Sequence, residues 1–220
     1  MTTNMKTAKM SVSGLTGPLT TIAELAHLNL LTLLCCLPLI TVGASLTAMH
    51  SVLVKMSRKE EGYIGRMFFD AFRDNFKKST LLWLPFLIIF MSTAADHLIR
   101  TIDPTILPAS MVMLATAAAI ISFLILQLVF PLQACFENTV HGTLSNALLL
   151  SIAHFPKVLL MALAGCLPVW LALHSVLVLP LALVVCPAVP GFLAVKLYQP
   201  VFMSFETSDH AQSRPGHWHL

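Results

Sequence analysis

Few side chains in this 220-residue sequence are equipped for chemistry, and those that are stand in apolar surroundings. Asn29, His50, Gln127, Gln133, Glu137, Asn138 and Lys196 are the polar or ionisable groups set into long apolar runs. Such groups form ion or proton paths when they share a wet cavity, and fix helix packing when they pair with one another. Between Asp103 and Lys157 the sole Asp, Glu, Lys or Arg is Glu137. An uncompensated charge at depth is costly, so Glu137 is expected either to pair with Lys196 or to see that lysine snorkel to the headgroups.

Catalytic patterns are lacking. The sequence has no G-x-S-x-G, no H-E-x-x-H and no glycine-rich phosphate loop, so neither an activated nucleophile nor a metal-bound water has an identifiable set of groups. Cys35, Cys36, Cys135, Cys166 and Cys186 lie in apolar runs without C-x-x-C spacing; there a thiol behaves as a small hydrophobe. His210, His217 and His219 near the C-terminus read as solvated imidazoles rather than a metal site. Asp96, His97, Arg100 and Asp103 read as a wetted loop. The expectation is a non-enzymatic protein without metal or cofactor.

The elements that position these groups are set by the solvent. Hydrophobic residues make up 57% of the chain and charged residues 10%, with a mean hydropathy of +0.83. A water-facing surface needs about 25% charged residues, so this is an integral membrane protein. An all-α polytopic bundle of about five transmembrane helices is expected. Its spans fall near 25–54, 79–99, 109–136, 158–174 and 176–203, after an N-terminal segment 1–24 and before a flexible tail 204–220. The first run is too long for the ~7 to 15 apolar residues of a signal peptide and reads as a retained span. Lys55, Arg58, Lys59, Arg66, Arg73, Lys77 and Lys78 cluster between the first two runs, whereas the next loop holds only Arg100. The positive-inside rule then places segment 55–78 and the C-terminus in the cytoplasm and the N-terminus outside, against the count of Lys6 and Lys9.

Within that cluster Ile64, Met67, Phe68, Ala71, Phe72 and Phe76 recur at helical spacing, opposite Arg66, Asp70, Arg73, Asp74 and Lys77. Residues 58–78 therefore read as an amphipathic interfacial helix. Its apolar side sinks among acyl chains or against the bundle, and Arg66, Arg73, Lys77 and Lys78 face anionic lipid headgroups or a partner protein. No nucleic-acid partner is indicated. In the first span, Pro38, Thr41 and Gly43 interrupt the apolar run. Pro38 offers no N–H to the Leu34 carbonyl, so the helix should kink there, with the freed carbonyl held by protein, hydroxyl or water. A bent packing helix and a discontinuous helix lining a solute site both fit.

Taken in order, "LNLLTLLCCLPLITVGASLTAMHSVLVKM", "EEGYIGRMFFDAFRDNFKKSTLLWL" and "FPLQACFENTVHGTLSNALLLSIAHFPK" resemble the YesL family of bacterial membrane proteins, a domain of unknown function. The matched positions include Pro38, Thr41, Gly43, Ala48, Phe72, Asn75, Phe76, Pro131, Phe136 and Asn146. The resemblance implies a small multi-span protein of the bacterial cell membrane whose relatives often stand beside sugar uptake systems, and it carries over no catalytic residue. Two functions follow: an accessory or regulatory protein of carbohydrate uptake, bound to a transporter subunit or sensor, or a small transporter or channel. The second gains if Asn29, Gln127 and Glu137 line one wet cavity.

Overall fold

The computed structural model describes residues 3–60, 62–136, 139–174 and 187–198, and every element among them is helical. Helix α1 covers Thr3–Cys36, α2 Val42–Ser57, α3 Ile64–Ile102, α4 Ala109–Cys135, α5 Val140–Ala153 and α6 Phe155–His174. A last helix, α7, runs over Ala188–Tyr198.

The first apolar run is not one span. It stops at Cys36, makes a 3-10 turn at Leu39–Thr41 and sets off again as α2. The Ser45 hydroxyl donates to the Thr32 carbonyl at 2.8 Å. In a continuous helix thirteen residues would separate those groups by about 20 Å. The two helices therefore lie antiparallel as a hairpin. Thr41 closes its apex, its hydroxyl reaching both the Cys35 carbonyl at 2.6 Å and the Pro38 carbonyl at 2.8 Å. That hydroxyl is the partner the interrupted helix requires. On the far leg, α2 ends in a Schellman motif: Lys59 takes φ 57°, its N–H meets the Met56 carbonyl, and the Glu60 N–H meets that of Lys55.

Periodicity sets 58–78 apart from the following span, but α3 joins them in one 39-residue helix, about 58 Å long. Nothing between Ile64 and Thr80 breaks a helix, and the first proline, Pro85, is carried within it. Helix α2 runs back along the inner half of α3, where Gly43 permits contact: a Cβ built there would sit 2.6 Å from both the Ser79 carbonyl oxygen and Trp83 Cβ. The Trp83 indole N–H donates to the Leu39 carbonyl at 2.7 Å and pins the apex to the middle of α3. Packing of α2 against α3 is the most extensive among the described helices.

The outer half of α3 pairs with α4 instead, Thr93 meeting the Ala115 carbonyl. Leu81, Ile88, Met91 and Leu98 of α3 and Met113, Leu114 and Ile120 of α4 remain exposed. A band of this kind belongs in hydrocarbon. Helices α5 and α6 meet at His154 with a bend of 100°. By length and composition, the stretches that can cross a membrane are Leu39–Ser57, Ile64–Ile102 and Ala109–Cys135, with the bent α5–α6 pair as a possible fourth. The five expected crossings are not reached among the described residues. The first is folded back on itself, and the last, 176–203, lies largely outside them.

Candidate functional site

The basic helix is the first candidate. On the inner half of α3, Phe68 is fully buried and Ile64 nearly so, and both belong to the core formed with α1, α2 and α4. Phe72 stacks on Phe68 with ring centroids 6.1 Å apart, and Phe76 follows at 5.5 Å, half out of the protein. The apolar stripe is thus covered by protein over its first two turns. Arg66, Asp70, Arg73, Asp74, Lys77 and Lys78 are exposed on the other side. Arg66 meets Asp70 at 3.7 Å with 85% of its side chain in the open; a pair so exposed adds little to stability.

Asn75 is drawn inward. Its amide N–H donates to the Ala71 carbonyl at 3.1 Å, its oxygen accepts from the Gln133 amide at 3.3 Å, and the Thr143 hydroxyl donates to the Gln133 oxygen at 3.2 Å. Gln133 and Thr143 are buried. Three helices, α3, α4 and α5, are tied by this chain, which satisfies polar groups that would otherwise be costly at such a place.

Asn29, which the transporter reading would set on a cavity wall, caps a helix. Its side-chain oxygen accepts from the Ala188 N–H at 3.2 Å, the first amide of α7, from 159 residues away. Lys196 lies over the Phe192 ring at 5.5 Å. Its expected partner Glu137 lies outside the described residues, as do Asn138, Cys186 and the tail histidines. Of the residues expected in a wetted loop, Asp96, His97 and Arg100 stand on the last turns of α3 and Asp103 follows its end; His97 meets Thr116, Arg100 donates to the Leu107 carbonyl, and Asp103 accepts from both the hydroxyl and the N–H of Thr105. Those two hydrogen bonds hold the Asp103 carboxyl below its usual range.

His50 and Gln127 share the second candidate, a cavity of about 520 Å³ among α2, α3, α4, α6 and α7. Among the described residues they are the polar side chains in a wall otherwise built from groups such as Met49, Trp83, Phe90, Phe123, Phe130 and Trp170. The His50 Nδ1 lies 3.3 Å from the Tyr198 hydroxyl, with the rings edge to face. Pro131, one turn on from Gln127, has no N–H for the Gln127 carbonyl and so removes its helical donor. Sequence reasoning found His50 and Gln127 but missed the aromatic walls and Gly165, because residues facing a cavity and residues facing lipid are of the same types.

No curated protein matches the chain, and no solved structure does. Residues 25–97, covering the hairpin and most of α3, match the family model described as "Protein of unknown function, DUF624", the family that takes in the YesL-type proteins.

Proposed function

We propose that this chain is a non-enzymatic accessory or regulatory protein of the bacterial cytoplasmic membrane, which offers the charged face of α3 to a transporter subunit or sensor. One observation carries the reading. Phe68 and Ile64 are buried against the protein's own helices, so the first two turns of the α3 stripe are covered by protein and its charged side is left over. Four cationic and two anionic side chains stand there over residues 66–78, which suits an acidic surface on the partner. The tie to carbohydrate uptake rests on the YesL resemblance alone.

The hairpin also bears on orientation. Its two legs share an end, so with segment 55–78 in the cytoplasm the near end of α1 belongs there as well. The N-terminus is then proposed inside rather than outside, and Lys6 and Lys9 no longer count against the rule. A small transporter is the second reading, favoured by the cavity at His50 and Gln127; its apolar walls, however, offer a sugar or an ion few partners.

A photoreactive residue in place of Arg66, activated in native membranes, tests the proposal. One transporter subunit or sensor should be captured, and reversing Arg73, Lys77 and Lys78 to Glu should abolish the adduct. Capture of lipid alone, or an adduct indifferent to the reversal, would leave α3 as an anchor.

A further inference from the structure

The central cavity is lined on α4 from Phe123 to Phe130 and on α6 from Met161 to Trp170, about 10 and 14 Å along the two axes. Its volume of about 520 Å³ lies in the range of sites for one small molecule, roughly 300 to 1,000 Å³.

Water is a poor occupant. Apolar cavities of roughly 150 Å³ stay dry and take up apolar molecules, and pockets of this size with few polar groups are the usual form of a small-molecule site. At its rim, Cys166 and Trp170 are exposed, and they stand on the helix whose Leu160, Leu163 and Leu167 are also exposed. That apolar surface faces acyl chains, so the mouth opens on a supply of them. One feature selects among apolar ligands: the His50 ring lines one end, and the Gln127 amide lines the wall beside a carbonyl that Pro131 leaves without its helical donor. A simple alkane would leave the Gln127 amide and that carbonyl unanswered.

We infer that this cavity binds a single-chain membrane amphiphile, its hydrocarbon chain against the aromatic walls and a neutral hydrogen-bonding head held by His50 or Gln127. A charged head is disfavoured, because no Asp, Glu, Lys or Arg lines the cavity among the described residues. The bound molecule completes the packing of α6 and α7 against the rest of the bundle.

Gly165 makes the inference testable, since a Cβ built on it meets nothing within 4 Å although the residue lines the cavity. The full chain is reconstituted in phosphatidylethanolamine–phosphatidylglycerol vesicles with a hexadecanol carrying a mid-chain diazirine, irradiated and mapped by peptide mass spectrometry. Adducts are expected on the inward residues of α4 and α6, between Phe123 and Phe130 and at Met161. Gly165→Phe should lower them at least fivefold, whereas Leu163→Phe, on the exposed side of α6, should leave them unchanged. Adducts confined to outward residues such as Leu163 and Leu167 in the unaltered chain, or inward adducts undiminished in a folded Gly165→Phe protein, would overturn it. Should Gly165→Phe fail to fold, the double variant His50→Leu, Gln127→Leu in the same assay replaces it: halved inward labelling supports the site, and unchanged labelling overturns it.

Discussion

Gly43 and Gly165 both stand on helices that face the middle of the bundle, and their surroundings are opposite. Around Gly43 the backbones of α2 and α3 approach until a single methyl would collide with a carbonyl oxygen and with Trp83. Around Gly165 there is open space. The first seam is joined by small residues, Gly43, Ala44 and Ala48, all buried, and is pinned by the Trp83–Leu39 hydrogen bond. The second is walled by large aromatics that do not close on one another. Lipid tails give helices no hydrophobic reason to associate, so close backbone contact and polar bridges must hold a membrane bundle. The α2–α3 seam has both devices. The α4–α6–α7 side has a cap from Asn29 and the His50–Tyr198 contact, and leaves room between its helices for a ligand.

Substitutions sharpen this contrast. Gly43→Ala should cost about 2 kcal/mol, because overpacking against backbone outweighs the roughly 1 kcal/mol that alanine gains in helix propensity; unfolding of the detergent-solubilised protein with increasing SDS measures it. A stabilised variant would mean that the seam is looser than described. Asn29→Ala comes next, at about 1.5 kcal/mol, since the buried Ala188 N–H loses its acceptor. Its signature is early hydrogen exchange in α7 with the exchange of α2 and α3 unaltered. Trp83→Phe should cost about 1 kcal/mol through the lost hydrogen bond to Leu39, and it should raise proteolysis at the hairpin apex. The smallest effect has the opposite sign: Gly165→Ala should stabilise by about 0.5 to 1 kcal/mol, as expected for a helical glycine with free space beside it, visible as a small rise in thermal midpoint.

Several of these features were legible in the residues themselves. Pro38, Thr41 and Gly43 mark the interruption of the first run, because proline lacks the N–H and glycine admits a neighbour. Reversal of the chain there was not legible, since a kink and a hairpin leave the same local pattern. What decides between them is distant: Ser45 on Thr32, Trp83 on Leu39, and α7 capped by Asn29. The stripe of Ile64, Phe68 and Phe72 likewise declared an apolar face but not its cover, which only the folded position of α2 supplies. Around the cavity the difficulty is greater. Phe90, Phe123 and Trp170 come from three helices, and in a membrane protein no periodicity tells an inward aromatic from an outward one. Gln133 could be picked out as a buried amide, yet its bridge from Asn75 to Thr143 depends on the level at which α4 passes both α3 and α5.

The hairpin is the central claim, because it covers the apolar stripe of α3, frees the charged face and brings both legs to one side. A spin-label distance between Glu24 and Arg58 tests it directly, both residues being exposed near the open ends of the two legs, with the native cysteines replaced. Neighbouring helices pack about 8 to 10 Å apart, so the hairpin predicts a label distance under about 20 Å. A single straight or mildly kinked span would put the two labels about 50 Å apart, and a distance of that size in liposomes would contradict the account.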